Sequence, residues 1–409
     1  MSRFDNYFLM STGDIAEYVE EKIQYFKPGT ELVCNEIGDG NLNYVFRLKD
    51  ESTGRSIIVK QAGECTRIDA NMKLSTDRGR IEAKILGIQE KSAPGLVPKV
   101  YLYDGVMCAM IMEDMVGHSM MRSALINHEI FPKFAEQIST FLVNTLLLTT
   151  DVVMGHKEKK ENVKAFINPD LCEISEDLVY SEPYIDYNHR NNVFPPNAEF
   201  VQKELYDDKA LRLEAAKLKF DFMNNAQSLI HGDLHTGSIF INKEHTFAFD
   251  PEFAFYGPMG YDIGNVIANM FFAWANGDAT IEDPVKKQEF CTWVLDCIEE
   301  IVDKFVEKFK VAYRENVTDI MAKTEGFMEY YLSTVLADTA GVAGLESIRR
   351  IVGMANNKDI TTIADENKRA RAERIIVTLA KNYIMNRTKF MTGADYRRAI
   401  EEAIAKYKN

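Results

Sequence analysis

Paired cysteines are missing from this sequence. Its six cysteines, Cys34, Cys65, Cys108, Cys172, Cys291 and Cys297, are scattered without one CxxC spacing, which argues against structural zinc and fits reduced thiols better than a disulfide framework. Long apolar runs are missing too. No stretch approaches the roughly eighteen residues of a membrane span, and the apolar patch around Phe8 is too short for a signal peptide. The third absence is an excess of positive charge. Lys and Arg number 48 against 62 Asp and Glu, a net charge of −14, so no general field exists to hold a polyanion. A soluble, cytoplasmic protein with no nucleic-acid or membrane partner is expected.

What is present is an ordinary globular composition, 46% hydrophobic, over a length of 409 residues that exceeds what one core usually supports. Two parts sharing a cleft follow. Residues 14–26 have helical periodicity with Ser11 or Thr12 as cap. Short β-type runs come next, at 31–37, 43–48, 56–61, 99–103 and 107–112, with one helical run at 76–89 between the third and fourth. Beyond Glu113 and Asp114 the pattern turns helical, at 131–149, 199–225, 259–274, 284–313, 318–343 and 367–386. Residues 181–198, rich in Pro and Asn, read as a long loop or arm. The expectation is an α+β chain with a small β-rich N-terminal part, 1–115, and a larger, mainly helical C-terminal part, 116–409.

Phosphate chemistry is suggested in the first part. Gly38-Asp39-Gly40-Asn41 joins two strands, and glycine lets backbone amides approach phosphate oxygens, although the same residues make a good ordinary hairpin turn. Lys60 ends the apolar run 56–61, where an edge-strand lysine is the plain alternative. Glu82, in the following helix, has the right charge to fix the ammonium, or else to pair with Arg78 one turn earlier.

In the second part, the stretch Leu229 to Phe240 reads as a strand, a polar loop and a second strand, with Asp233 presented between paired strands. There it would orient a substrate hydroxyl and take its proton, against the commoner role of Asp in a turn. His231 and His235 lie four apart, but Gly232 and Gly237 disfavour the helix a metal pair needs, so both are expected to brace the loop. Asp250 and Glu252, two apart, point the same way if the segment is extended. Such hard oxygen ligands suit Mg²⁺, and the neighbours Phe249, Phe253 and Phe255 make two plainly solvated carboxylates a poor alternative.

Gly38-x-Gly40, Lys60, Glu82, His231-Gly-Asp233 and Asp250-Pro-Glu252 occur in the order of a protein-kinase-like fold. The chain resembles the small-molecule kinases of the aminoglycoside phosphotransferase and choline kinase type. Within that group it is similar to the 5-methylthioribose kinases. The closer match rests on Glu36 to Phe46, His231 to Phe240, Asp250 to Pro258 and the twin arginines Arg349-Arg350. The resemblance implies a bilobal kinase fold and ATP-dependent phosphorylation of the 1-hydroxyl of methylthioribose for methionine salvage, often by a homodimer. It implies Asp233 as base and substrate contact, and Asp250, Glu252 and Ser238 at the Mg²⁺ positions. Gly38, Asp39, Gly40, Asn41, Asn43, Lys60 and Glu82 fall at the ATP phosphates. Backbone groups of Met112, Glu113, Asp114 and Met115 fall at adenine, and Asn43, Arg349 and Arg350 at the substrate end. The chain departs from the wider kinase pattern at Asn43, which replaces a glycine, and at Ser238, which replaces a metal-binding asparagine. Met72-Lys73 stands where the closer family carries Trp-Pro. A kinase for another small alcohol and a nucleotide-binding protein without turnover are the alternatives, the latter disfavoured by Lys60, Asp233 and Asp250.

Overall fold

The computed structural model describes residues 2–37, 42–65 and 73–408. Gly38, Asp39, Gly40, Asn41 and Met72 therefore lie outside the described residues. Helix α1 (Thr12–Ile23) leads into an antiparallel sheet of β1 (Leu32–Glu36), β2 (Asn43–Asp50), β3 (Ser56–Ala62), β4 (Val100–Asp104) and β5 (Ala109–Glu113), in the order β1-β2-β3-β5-β4. Period-two burial drives it: Phe46, Leu48, Ile57, Val59, Ala109 and Ile111 project to one face and meet Ile15, Tyr18 and Val19 of α1. Helix α2 (Asp77–Ser92) crosses over between β3 and β4. Lys60 sits centrally on β3, paired with Val45 on one side and Met110 on the other. An edge-strand position is thereby excluded.

The remainder is mostly helical. Strand β6 (Ser119–Met120) and α3 (Met121–Ile126) precede α4 (Phe134–Leu146), α5 (His156–Ala165), α6 (Pro169–Leu178), α7 (Glu182–Ile185), α8 (Ala198–Val201) and α9 (Lys209–Asn224). Four short strands follow, β7 (Ser228–Ile230), β8 (Ile239–Ile241), β9 (Thr246–Ala248) and β10 (Phe255–Gly257), then α10 (Gly260–Thr280), α11 (Pro284–Asn316), α12 (Phe327–Val352), α13 (Lys358–Thr361), α14 (Glu366–Met385) and α15 (Gly393–Lys406). This is the bilobal α+β arrangement expected. No described helix is long and apolar enough to cross a membrane.

Two expected helices are corrected. The run 199–225 is broken by a π-helical stretch, Gln202–Tyr206, and restarts at α9, where Asp208 caps the backbone N–H groups of Ala210 and Leu211. The run 318–343 begins late. Asp319 accepts from the N–H groups of Met321 and Ala322 in a turn, and α12 starts only after Gly326, at φ +82°, and runs on to Val352.

Helices α10 and α12 pack backbone to backbone in the centre of this part. A Cβ on Gly260 would lie 2.5 Å from the Thr339 nitrogen, and one on Gly264 2.7 Å from the Ala343 nitrogen. On the other side of α12, a Cβ on Gly344 would meet the Ala380 carbonyl oxygen of α14 at 2.5 Å.

Candidate active site

The loop carrying Asp233 does not join paired strands. Strand β7 pairs with β10, and β8 pairs with β6 and β9, so residues 231–238 cross between two sheets and end in a turn of 3-10 helix, Thr236–Ser238. Two features hold the crossing. Gly232 has φ +81°, and a Cβ there would sit 2.4 Å from the Phe253 carbonyl oxygen. Only glycine allows the turn after Asp250 to press against this loop. The Asp262 carboxylate, at the start of α10, accepts from the His231 N–H at 2.7 Å and the Gly232 N–H at 3.0 Å.

Both histidines brace the loop. His231 Nε2 lies 2.9 Å from the Phe249 carbonyl oxygen, which can only accept, while Nδ1 receives the Asp233 N–H at 3.3 Å. Nε2 is thus the donor of the ring and Nδ1 its acceptor. His235 stands between Ser238 Oγ, 3.1 Å from Nδ1, and Asp233 Oδ2, 3.4 Å from Nε2. Burial, then the charges of Arg122 and Arg350, lower its pKa well below the usual range. The Ser238 hydroxyl, expected at a metal position, is occupied with His235.

Asp250 and Glu252 come together by a different route from the extended segment expected. Asp250 has φ +67°, a left-handed conformation rare for residues with a side chain, and the chain turns through Pro251. The turn nevertheless converges the carboxylates: oxygens of Glu82, Asp250 and Glu252 lie within 4.8 Å of one another. Lys60 bridges two of them, 2.8 Å from Glu82 and in direct contact with Asp250. Burial works against the Lys60 ammonium, but Asp250, Glu82 and Glu252 more than offset it and raise its pKa.

The acids feel the same burial. Desolvation lifts Glu82 to about 7 against the pull of Lys60. Desolvation and the Asp250 charge lift Glu252 to about 8. Asn43 Nδ2 donates to Glu252 at 2.8 Å, so this asparagine joins the carboxylate cluster from β2.

Arg78 does not pair with Glu82 as an ordinary helix-surface ion pair. It is 2% exposed, donates to the carbonyls of Ser75, Leu42 and Gly63, and faces Glu252 at 3.6 Å. At the end of the sheet, Met112 lies inside β5 and the Glu113 N–H is held by the Lys99 carbonyl at 2.8 Å. The Asp114 side chain is clamped by Arg47, at 2.7 and 2.9 Å, and by Ser56 at 2.6 Å. Met115, just past the clamp, ends the segment expected at adenine, and its carbonyl accepts from the His118 N–H at 3.2 Å.

The twin arginines end α12, and their charges are hidden rather than solvated. Glu346 contacts Arg349 Nε through one oxygen and accepts from Arg350 Nε at 2.9 Å through the other. Arg349 is 3.7 Å from Asp233. Burial disfavours its charge, yet Glu346, Tyr261 and Asp233 hold its pKa above the usual range. Burial likewise disfavours the Glu346 carboxylate, and Arg349 and Arg350 overcome it, keeping that group ionised.

Sequence reading missed Asp262, Glu346, Arg122 and Asp359. Asp262 is the acid in the first turn of a mostly apolar helix, and Glu346 has i+3 and i+4 spacing to the arginines; both signals are legible. Arg122 and Asp359 carry none, because they come from two short helices far apart in sequence.

The model of the phosphotransferase enzyme family matches residues 33–283. Methylthioribose kinase of Geobacillus sp. (strain WCH70) is 37% identical over 384 residues, covering 94% of this chain and 93% of its own. That of Bacillus cereus (strain 03BB102) is 36% identical over 385 residues, 94% of each. Among solved structures, choline kinase from Cryptosporidium parvum Iowa II aligns over 97% of both chains with a TM-score of 0.48 and 13% identity. Ethanolamine kinase of Plasmodium vivax aligns over 90% of this chain and 91% of its own, with a TM-score of 0.44 and 17% identity. The chain belongs to the phosphotransferase enzyme family and, within it, to the methylthioribose kinases.

Proposed function

We propose that this protein transfers the γ-phosphoryl group of ATP to the anomeric 1-hydroxyl of 5-methylthioribose. The observation that carries the reading is Asp233, its side chain 27% exposed and held in place by its neighbours. Its loop hangs from Asp262, and Arg349 and His235 flank the carboxylate. In this reading Asp233 takes the proton of the acceptor hydroxyl. The oxygen attacks the γ-phosphorus, the bond to the β-γ bridging oxygen breaks, and ADP leaves.

Lys60, braced by Glu82, meets the phosphates, and the backbone near Met115 meets adenine, with Gly38 to Asn41 covering the phosphates. Arg349 and Arg350 serve the substrate end. Their Nε atoms are committed to Glu346, so each fork presents its terminal nitrogens to an anion. Phosphoryl transfer asks little covalent work of a protein, and positioned charge supplies most of the acceleration.

The close set of carboxylate oxygens on Glu82, Asp250 and Glu252 fits a hard cation. Asp250 and Glu252 would hold Mg²⁺, with Glu82 remaining on Lys60. When bound, the ion neutralises the phosphate oxygens.

We also read the protein as a cytoplasmic homodimer, with the lobe boundary near residue 115. Sedimentation of the purified chain tests the dimer. A coupled ADP-release assay with methylthioribose, choline, homoserine and an aminoglycoside tests the substrate. Turnover confined to methylthioribose is expected, turnover with another alcohol would move the chain to that acceptor, and none would make it a non-catalytic nucleotide binder.

A further inference from the structure

Resting on the reading above, we propose that Arg122 is a third guanidinium of the acceptor site, binding the phosphorylated end of the sugar, and that Asp359 is its positioning residue. Arg122 comes from the first turn of α3 and Asp359 from α13, which otherwise share no role. Arg122 packs against the loop itself. A Cβ on Gly237 would lie 3.0 Å from its Nη1 and 2.9 Å from the His235 ring. Its charge is felt by His235, and its own pKa is lowered first by burial and then by the like charge of Arg350.

The pairing of Arg122 is loose where a purely structural pair would be tight. Its Nε is 3.7 Å from Asp359 Oδ2. Buried Nε and both Asp359 oxygens have no hydrogen-bond partner among the described residues, although the Asp359 side chain is 0% exposed. Buried polar groups are normally satisfied. The other contact of Arg122, Nη2 to the Asn269 side-chain Oδ1 at 3.5 Å, is at the limit of a hydrogen bond.

Asp359 is nonetheless firmly placed, since Asn276 of α10 donates to its carbonyl oxygen at 2.6 Å and Asn357 caps its N–H at 3.1 Å. A fixed carboxylate behind a guanidinium with spare donors is the arrangement of an arginine aimed at something else.

Charge says what that is. Three arginines, 122, 349 and 350, gather around Asp233, with Glu346 and Asp359 behind them among the described residues, so three carboxylates balance three guanidiniums until Asp233 takes the proton of the acceptor. Once Asp233 carries that proton, three buried guanidiniums face two carboxylates, an excess that an anion in front of them offsets. The acceptor brings none, because a thioribose is neutral. The anion is the phosphoryl group as it arrives on the 1-oxygen, and the phosphate of the product afterwards. Arg349 and Arg350 approach from the end of α12, and Arg122 approaches from the His235 side of the loop.

The test uses whichever alcohol the wild-type enzyme phosphorylates in the ADP-release panel, so failure with methylthioribose alone counts against the substrate assignment and leaves Arg122 testable. Arg122→Gln is expected to lower kcat/KM for the acceptor by at least about tenfold and to weaken inhibition by the sugar phosphate product by a similar factor, with KM for ATP within about threefold. Arg122→Lys should restore part of the product binding, because it keeps the charge but not the fork.

Asp359→Asn should raise KM for the acceptor more than it lowers kcat. A merely structural pair would instead lower Tm while leaving product inhibition unchanged in all three variants, and that result overturns the proposal. If Arg122→Gln does not fold, Arg122→Lys and Asp359→Asn give the same reading. Unchanged product inhibition in both then counts against it.

Discussion

Asp262 makes the sharpest prediction, because it is buried beneath the loop and sets where Asp233 stands. In Asp262→Asn the amide oxygen can accept only one of the two N–H groups now held at 2.7 and 3.0 Å, and the NH₂ group turns a donor toward the other. One buried backbone donor is left unpaired, at about 1–3 kcal/mol, and the surviving bond loses its charge assistance, about 1 kcal/mol more. Part of this is returned, since burial already disfavours the Asp262 charge and raises its pKa. The net is about 2–3 kcal/mol, or a Tm lower by several degrees in a chain of this size.

The larger effect is on rate. Gly232 is held at φ +81° by these bonds and by its contact with Phe253, and a shift of about 1 Å at Asp233 costs about 10²-fold. Steady-state kinetics should show kcat reduced by that order with KM for ATP within about threefold. Calorimetry should show the lower Tm. A variant that keeps wild-type kcat while losing the expected stability would refute the coupling between Asp262 and Asp233, and one that loses neither would refute the hydrogen-bond argument itself.

Asp233→Asn should remove turnover by about 10²- to 10⁴-fold without changing nucleotide affinity in a fluorescence titration, and activity within about threefold of wild type would remove Asp233 as the base. Asp250→Asn and Glu252→Gln should each raise the Mg²⁺ concentration for half-maximal rate, and Ser238→Ala should do so only weakly because its hydroxyl is engaged with His235; a Mg²⁺ titration dominated by Ser238 would reverse the assignment. Arg349→Lys and Arg350→Lys should each lower kcat/KM for methylthioribose by at least about tenfold, since the Glu346 brace and a fork cannot both be kept by an ammonium, and two fully active variants would end the substrate-end role. Burial raises Glu82 to about 7 and Glu252 to about 8, against 4.5 in the unfolded chain. The folded state then binds more protons than the unfolded one across that window, so this contribution to stability is present at low pH and is lost as pH rises through 7 and 8. Tm measured in EDTA from about pH 5 to 9 should fall less steeply in Glu252→Gln than in wild type, and equal slopes would count against it.

Much of this was legible from residue order. The lone Lys60 closing an apolar run, Glu82 a helix later and the Asp233 and Asp250 loops are local signals, and the chain brings the lysine and the acid cluster together as their chemistry suggests. Local signals do not carry geometry across sheets, however. The Asp233 loop looked like a hairpin because apolar runs flank it, but which strands pair is decided by β6 and β10, far away in sequence. Period two makes Asp250 read as extended, but it stands at φ +67° in a turn that brings Phe253 against Gly232. Helix 318–343 was placed too early because residues 318–326 share the helical composition, while the Asp319 turn that stops them is a backbone event. Arg122 and Asp359 were invisible, since their meaning arises only where α3 and α13 meet.

The glycine contacts between α10 and α12 have a consequence for how such an enzyme can change its acceptor. The Asp233 loop is suspended from Asp262 on α10, and Arg349 rides on α12 beside Glu346, so the distance between Asp233 and the Arg349 guanidinium is fixed by two helices whose main chains touch at Gly260 and Gly264. Where helices meet through side chains, rotamers give and the axes slide; where they meet through main chain, nothing is left to compress. These two helices act as a gauge block, holding one gap constant. A descendant that adopts a wider alcohol has to make room with the tips of α3 and α13 and with the loops, because the spacing of its central helices is not adjustable in small steps.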